Sequence, residues 1–214
     1  MMAVILAGGR GTRLKPFTVT IPKPLLPLDD VPILEIVIRQ LVAAGFGRIV
    51  LSLGHLHHLF TAILGDGERF GVRLEYQIED EPLGTAGSLK LIRRCEDDFL
   101  VMNGDILTTL SYRRLFQRHR KKKAWATIAV HERTVQIDYG VVETTAAGTL
   151  ANYIEKPSLP YSVSMGVNIL SRQALQYIPA GRKFDMPELM LALHHAGKPV
   201  HCYRTNCYWQ DIGR

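Results

Sequence analysis

Residues 3–16 are Ala3-Val4-Ile5-Leu6-Ala7-Gly8-Gly9-Arg10-Gly11-Thr12-Arg13-Leu14-Lys15-Pro16. The first five are apolar without alternation, as expected of a strand that is buried on both faces of a sheet. The glycines that follow let backbone amides come close to phosphate oxygens, and Arg13 brings a fixed positive charge to the same loop. We therefore predict a buried first strand that ends in a phosphate-binding loop.

Length and composition indicate the class of protein. The 214 residues, of which 47% are hydrophobic, suffice for a single domain over residues 1–214 with a substantial core. The apolar N-terminal run is far shorter than a membrane span and no basic segment precedes it, so we expect neither a signal peptide nor a membrane partner. Three cysteines without C-x-x-C spacing, Cys95, Cys202 and Cys207, suit a reducing cytosol. We therefore expect a cytoplasmic protein.

The net charge of +6 would suit nucleic acid, a membrane surface or a small polyanionic substrate. Much of the excess lies in one run, Arg118-His119-Arg120-Lys121-Lys122-Lys123, which closes a helix predicted from Ser111. Cations are favourable there because they face the negative end of the helix dipole. No aromatic residues are interleaved with the run, so we predict a solvated helix end and no nucleic-acid partner.

In the first half of the chain, short apolar runs alternate with longer segments of helical period. Ile33, Ile36, Val37 and Leu41 recur on one helical face, and Pro32 suits a first helical turn. The predicted strands are Ala3–Ala7, Arg48–Leu53, Arg73–Ile78 and Phe99–Met102, and the predicted helices are Ile33–Ala44, His55–Leu64, Thr85–Arg94 and Ser111–Arg120. Such alternation is typical of an α/β protein with a parallel sheet.

From Ala124 onward the predicted strands follow one another more closely. They are Trp125–His131, Gly140–Glu143, Leu150–Ile154, Val163–Leu170 and Val200–Arg204, with helices at Arg172–Tyr177 and Met186–His195. We expect this half to extend the sheet and to carry a substrate subsite. The whole chain is predicted to form a Rossmann-like three-layer α/β sandwich with a mainly parallel mixed sheet. In such sheets ligands bind at the carboxyl ends of the strands.

A second basic element, Lys23-Pro24, follows the glycine loop. Glycines combined with Arg13 and Lys23 are typical of a triphosphate cradle. The loop is not the dinucleotide fingerprint G-x-G-x-x-G, since Thr12-Arg13-Leu14 follows Gly11, and it lacks the Gly-Lys-Ser/Thr of a P-loop. The predicted second strand ends in Leu53-Gly54-His55 without an acidic residue, which disfavours a nicotinamide dehydrogenase.

Two further motifs follow predicted strands. Residues 81–88, Glu81-Pro82-Leu83-Gly84-Thr85-Ala86-Gly87-Ser88, place glycines at a predicted helix start, where amides would be offered to a flat ring, although an ordinary helix start has the same composition. Asp105 ends a buried strand, and Asp211 lies in Trp209-Gln210-Asp211-Ile212-Gly213. Carboxylates so placed suit a hard cation, and each alone would equally suit a helix cap or a turn.

In this order, the motifs resemble those of the sugar-1-phosphate nucleotidyltransferase family over residues 4–213. The resemblance implies the nucleotide-diphospho-sugar transferase type of fold, with the N-terminal half binding nucleotide. It implies Arg13, Lys23 and Asp105 as catalytic residues, and Asp105 and Asp211 as ligands of Mg²⁺. The nucleotide-binding residues that it implies are Leu6, Ala7, Gly8, Gly9, Gly11, Thr12, Arg13, Lys23, Glu81, Pro82, Gly84, Thr85, Ala86 and Gly87.

The same resemblance assigns a sugar-phosphate subsite to about 124–214 together with the end of the strand before Asp105. The residues implied are Asn103, Gly104, Gly140, Glu155, Lys156 and Asn168. A sugar 1-phosphate is already largely a dianion at neutral pH, because its second pKa is about 6. The implied partners are therefore a nucleoside triphosphate and a sugar 1-phosphate that react by in-line displacement without a general base; whether the protein forms a homo-oligomer is left open.

Substrate identity depends on one segment. Residues 82–87 resemble the guanylyltransferase version of the motif more than the thymidylyltransferase version, which favours GTP with a mannose or manno-heptose 1-phosphate. A thymidylyl- or uridylyltransferase acting on glucose 1-phosphate or an amino-sugar 1-phosphate is the alternative. A non-catalytic regulatory relative would lose charged site residues, yet Arg13, Lys23, Asp105, Lys156 and Asp211 are present. Histidines 55, 57, 58, 194 and 195 lie on predicted amphipathic helices and are interpreted as surface residues.

Overall fold

The strands and helices of the chain are taken from a computed structural model, which describes residues 1–9, 11 and 16–212. The strands are β1 (Met2–Leu6), β2 (Pro27–Leu28), β3 (Val31–Pro32), β4 (Arg48–Leu53), β5 (Arg73–Ile78), β6 (Asp98–Asn103), β7 (Ile106–Thr108), β8 (Ala126–Gln136), β9 (Val141–Thr144), β10 (Leu150–Ile154), β11 (Ser158–Ser171), β12 (Val200–Arg204) and β13 (Trp209–Asp211). The α-helices are α1 (Ile33–Ala43), α2 (His57–Leu64), α3 (Gly84–Gly87), α4 (Tyr112–Lys121) and α5 (Met186–His195).

Seven strands form the central sheet in the order β12-β8-β11-β6-β1-β4-β5. β1 pairs in parallel with β4 and β6, β4 pairs in parallel with β5, and β12 pairs in parallel with β8. β11 is antiparallel to both of its neighbours, β6 and β8, so it runs opposite to the other six strands. The predicted mainly parallel mixed sheet is therefore confirmed.

Both faces of the sheet are buried. Side chains of β1 alternate between the two sides: Ala3 and Ile5 belong to one apolar cluster, and Met2 and Val4 to the other. The first cluster includes residues of α1, α2 and α4, and the second includes residues of α3 and α5. Helices thus cover both faces, which confirms the three-layer arrangement and explains why residues 3–7 are continuously apolar.

The predicted helix Thr85–Arg94 is wrong in its extent. The α-helical part, α3, is a single turn that continues as a 3₁₀ helix over Ser88–Leu91. Ile92 is extended and Arg94 has a left-handed φ of 56°, so the helix cannot continue. Likewise, α2 begins at His57 and not at His55, because Leu56 has a left-handed φ of 60°, and the predicted helix Arg172–Tyr177 is a 3₁₀ helix.

The second half of the chain extends the sheet and also projects beyond it. β8 and β11 are longer than predicted and remain paired from Gln136 with Ser158 inward. The outer ends of these strands and the antiparallel β9–β10 hairpin between them are largely exposed. We call residues 132–162 the arm. In the part of the chain that the structure describes, no helix has the length and apolar character needed to cross a membrane.

His119 lies inside the basic run but faces the sheet, with only 1% of its surface exposed. Its Nδ1 lies 2.8 Å from the Thr127 Oγ1, and its Nε2 lies 3.3 Å from the Asp98 Oδ1. Burial lowers the pKa of His119, although the nearby Asp98 carboxylate opposes this effect. The folded state therefore binds this proton less readily than the unfolded state does.

We predict that the free energy of unfolding decreases as the pH falls below about 6.5, because the unfolded chain then takes up a proton that buried His119 resists. A single such group contributes a slope of at most about 1.4 kcal/mol per pH unit. Urea unfolding between pH 5 and pH 8 should give a flatter pH dependence for His119→Gln than for the wild type. Replacement of exposed His195 by Gln is the control, and an unchanged slope in His119→Gln would contradict the prediction.

Candidate active site

A cavity of about 950 Å³ lies where β1, β4, β5 and β6 end. This is the edge of the sheet at which ligands bind in parallel α/β proteins. The residues that line the cavity are Leu6, Ala7, Gly8, Gly9, Gly11, Lys23, Pro24, Ser52, Gly54, His55, Leu56, His57, His58, Glu79, Asp80, Pro82, Gly84, Thr85, Ser88, Asn103 and Asp105. Most of the predicted nucleotide-binding residues line this cavity, and their role in binding a nucleotide stays a prediction.

Backbone atoms form part of the cavity wall just beyond β1 and β4. The Ala7 N–H donates to the Ser52 carbonyl oxygen over 2.9 Å, so the parallel pairing continues past the strand ends. A Cβ atom on Gly8 would lie 3.2 Å from the Gly54 nitrogen, and one on Gly54 would lie 3.3 Å from the Gly8 oxygen. Both residues are glycine because the two backbones approach this closely. Gly54 was not predicted, although it directly follows a strand.

Thr18 holds the end of the glycine loop against Lys23. The Thr18 hydroxyl donates to the Gly11 carbonyl oxygen over 2.8 Å. Gly11 has a left-handed φ of 57°, and a Cβ atom there would lie 2.9 Å from the Thr18 Cγ2. Thr12 and Arg13 lie outside the described residues, so their predicted roles stay predictions.

Lys23 lies between the two predicted metal ligands. Its Nζ contacts the Asp105 Oδ2 and lies 3.5 Å from the Asp211 Oδ1. Because one ammonium contacts both carboxylates, the two acidic side chains point towards the same position. Two carboxylates around one positive charge are hard oxygen donors of the kind that Mg²⁺ prefers. Among the described residues, no group of three or more His, Cys, Asp or Glu side chains forms a metal site.

Strand pairing brings these two acids together from the middle and the C-terminal end of the chain. β13 is antiparallel to β7, and Asp211 lies opposite Ile106. The Ile212 N–H donates to the Asp105 carbonyl oxygen over 3.0 Å, which continues the pairing beyond the strand. Gly104 is buried beside β1, where a Cβ atom would lie 3.2 Å from the Ile5 Cγ2. Close packing of residue 104 therefore sets where the Asp105 carboxylate emerges.

Glu79 is a cavity residue that the sequence analysis missed. It directly follows β5, and both of its carboxylate oxygens are already oriented. The Ser52 hydroxyl donates to the Glu79 Oε1 over 3.0 Å, and the Leu83 N–H donates to the Oε2 over 2.9 Å. Its position after a strand was a signal that could have found it. The carboxylate is held in place with further acceptor capacity directed at the cavity.

The segment 81–88 meets the cavity at Pro82, Gly84, Thr85 and Ser88, whereas Glu81, Ala86 and Gly87 do not line it. The amides at this helix start are used within the protein. Those of Ala86 and Gly87 donate to the Phe184 carbonyl oxygen over 3.0 and 2.8 Å, and that of Thr85 donates to the Asp185 Oδ1. The expectation that these amides face a flat ring is therefore not met.

The predicted sugar-phosphate residues are spread over the structure. Asn103 lines the cavity, and Gly104 is buried next to it. Asn168 is buried within β11, between β6 and β8. Glu155 and Lys156 lie exposed on the arm, Gly140 lies half-buried on it, and these three do not line the cavity. The described structure thus brings Asn103, and not the arm residues, to Lys23 and Asp105.

The histidines predicted to lie at the surface are found in two places. His55, His57 and His58 line the cavity, and His57 is partly buried. His194 and His195 are exposed at the end of α5, as predicted. The first three belong to the segment that follows β4. Like Glu79, they lie at the carboxyl end of a parallel strand, which is where ligands bind in such sheets.

Comparison with known proteins gives relatives of one kind. Residues 2–214 match the nucleotidyl transferase family. The UTP–glucose-1-phosphate uridylyltransferase of Synechocystis sp. is 34% identical over 234 residues, covering 100% of this chain and 60% of the relative. The mannose-1-phosphate guanylyltransferase of Mycobacterium tuberculosis is 31% identical, covering 99% of this chain and 60% of the relative. This chain therefore spans about three fifths of the length of these two proteins.

Another relative is similar in length. The D-glycero-alpha-D-manno-heptose 1-phosphate guanylyltransferase of Aneurinibacillus thermoaerophilus is 30% identical over 215 residues, covering 100% of this chain and 93% of the relative. Among solved structures, HddC from Yersinia pseudotuberculosis superposes with a TM-score of 0.76 at 27% identity, over 99% of this chain and 93% of that one. The family match extends over residues 2–214, and these two proteins resemble the chain in sequence and in fold. The chain therefore belongs to the nucleotidyl transferase family.

Proposed function

We propose that the chain condenses a nucleoside triphosphate with a sugar 1-phosphate to give a nucleotide sugar and pyrophosphate. The observation that carries this proposal is the convergence of Lys23, Asp105 and Asp211 beside a cavity walled by glycine backbone. The cavity lies at the ligand-binding edge of the sheet, and the names of the relatives describe the same class of reaction. We further propose that residues 1–214 act as a single cytoplasmic domain.

The reaction needs positioning and charge more than proton transfer. An oxygen of the sugar phosphate attacks the α-phosphorus, and the bond from that phosphorus to the α,β-bridging oxygen breaks, so pyrophosphate leaves with the electron pair. The attacking phosphate is already ionised, since its second pKa is about 6. The obstacle is repulsion between two polyanions, which Lys23 and, by prediction, Arg13 and Lys156 would reduce.

A metal ion fits the same position. Family nucleotidyltransferases generally depend on a divalent metal. We propose Mg²⁺, with Asp105 and Asp211 as the residues that would hold it, because both carboxylates already face one positive charge. When bound, the ion would neutralise negative charge on the phosphates. Lys23 would then turn from the carboxylates towards the phosphate oxygens.

GTP is the proposed nucleotide, and Glu79 supports it. Guanine presents two adjacent N–H donors, on N1 and N2, that a single carboxylate can accept together. Uracil and thymine present a carbonyl oxygen on each side of one N–H, so the second oxygen of the same carboxylate would face another acceptor instead of a donor. The heptose and mannose relatives are guanylyltransferases by name, which favours mannose or manno-heptose 1-phosphate as the acceptor. A uridylyltransferase acting on glucose 1-phosphate is the second candidate, because one relative carries that name.

Pyrophosphate release should require both substrates and Mg²⁺. We would assay five nucleoside triphosphates against mannose, glucose, manno-heptose and amino-sugar 1-phosphates with a coupled pyrophosphate assay. Excess EDTA should stop the reaction and added Mg²⁺ should restore it, because Asp105 and Asp211 offer hard oxygen ligands. Full turnover in metal-free buffer, or release of pyrophosphate without a sugar phosphate, would refute the proposal.

Glu79→Gln should reduce kcat/KM for GTP by about 10- to 100-fold, because the amide places a donor where guanine N–H groups need an acceptor, a mismatch of about 1–3 kcal/mol. The same variant should leave kcat/KM for UTP or dTTP unchanged or raise it. The matched control is Asp80→Asn, which neutralises the neighbouring acid of the same cavity. An equal loss for all nucleotides would show that Glu79 does not select the base.

Asp105→Asn and Asp211→Asn should each lower kcat by about 10²- to 10³-fold, because each removes a carboxylate that would hold the cation stabilising the negatively charged transition state. The double variant should lose far less than the product of the two, since both carboxylates serve one position. Asp97→Asn is the matched control, since this exposed aspartate lies at the opposite end of β6. All variants should retain the thermal midpoint; near-wild-type turnover by folded Asp105→Asn would exclude the metal role.

A further inference from the structure

The nucleobase side of the cavity is held by a segment about 100 residues away in the chain. We call residues 182–185 the capping segment. The Phe184 N–H donates to the Leu83 carbonyl oxygen over 2.8 Å, and the Phe184 carbonyl oxygen accepts from Ala86 and Gly87. The capping segment therefore fixes residues on both sides of Gly84 and Thr85, which line the cavity.

Asp185 adds side-chain bonds to this contact. Its Oδ1 accepts the Thr85 N–H over 2.9 Å and lies 3.3 Å from the Thr85 Oγ1. The Thr85 Oγ1 in turn accepts the Met186 N–H over 2.7 Å, so its hydroxyl proton is free to point at Asp185. Gly84 has a left-handed φ of 78°, and a Cβ atom there would lie 2.7 Å from the Asp185 Oδ1. The contact is too close for any side chain at residue 84.

Asp185 also occupies the N-cap position of α5, where its N–H donates to the Glu188 carboxylate over 2.6 Å. Capping α5 requires only a short acceptor at this position. The bond to Thr85 is additional, and it joins the first turn of α5 to the first turn of α3. The aspartate side chain is long enough both to cap α5 and to accept from Thr85. A serine side chain is one bond shorter, so it would cap α5 but would not reach Thr85.

The contact reaches Glu79 through Leu83. The Leu83 N–H donates to the Glu79 Oε2, while the Leu83 carbonyl oxygen accepts from Phe184. Residues 79–83 belong to no strand or helix, so their position depends on such bonds. We propose that Asp185 is a positioning residue that, through the capping segment, fixes the Glu79–Thr85 wall and sets nucleotide affinity and base selectivity. This rests on the proposed function, in which that wall meets the nucleobase.

Three variants separate this role from simple stabilisation of α5. Asp185→Ser retains the N-cap of α5 but loses the bond to Thr85. The Kd for GTP should therefore rise about tenfold, and the ratio of GTP affinity to UTP affinity should fall. The KM for the sugar 1-phosphate should change less than twofold. Asp185→Asn keeps an acceptor oxygen and should restore most of the affinity. Glu188→Ala weakens the α5 cap and should lower the thermal midpoint without altering nucleotide affinity.

The main readout is equilibrium binding of GTP and UTP by titration calorimetry, which does not require turnover. Failure of the wild type to release pyrophosphate would refute the proposed reaction but leave this test intact. Wild-type affinity and selectivity in folded Asp185→Ser would overturn the positioning role. So would an equal loss of GTP affinity in Glu188→Ala, because affinity would then follow the stability of α5. If Asp185→Ser fails to fold, Asp185→Thr takes its place under the same criterion, because threonine also caps a helix and its hydroxyl is likewise too short to keep the bond to Thr85.

Discussion

Two carboxylates contact one positively charged side chain, and the rest of the site depends on this arrangement. Asp105 and Asp211 both face the Lys23 ammonium. Two carboxylates that share one contact repel each other, and the Lys23 ammonium between them offsets that repulsion. The β7–β13 pairing and the buried Gly104 keep the acids in register. A site built this way is suited to a second, exchangeable cation and to phosphate.

Much of the fold could be predicted because its signals are local. The strands Arg48–Leu53 and Arg73–Ile78 and the helix Met186–His195 have the predicted bounds, since buried strands and amphipathic helices have distinct periods. The predicted helix from Thr85 ends early because the capping segment and the left-handed Arg94 redirect the chain. Neither feature appears in the local pattern. Strand order likewise depends on pairing between strands that are distant in sequence, such as β11 with β6, and no short segment of sequence contains that information.

For the site too, residues within a local motif could be predicted, whereas residues placed by distant segments could not. Gly8, Gly11 and Lys23 form a recognisable motif, and the structure brings all three to the cavity. Glu79 belongs to no motif, because its partners Ser52 and Leu83 come from a neighbouring strand end and a turn. Lys156 was inferred from a motif, yet it lies on the exposed arm, where sequence similarity alone does not give a position relative to the cavity.

The two halves of the chain are interdependent at the cavity. The glycine loop and Glu79 come from the first half, but Asp211 pairs with the β7 region and Asp185 holds Thr85. A division of the chain into an N-terminal nucleotide half and a C-terminal sugar half therefore separates these two aspartates from the residues that they contact, Thr85 and Lys23. Since the loop around Glu79 has no regular structure of its own, its position depends on bonds to Ser52 and, through Leu83, to the capping segment. The segment that leads into α5 thereby also shapes the wall proposed to select the nucleobase.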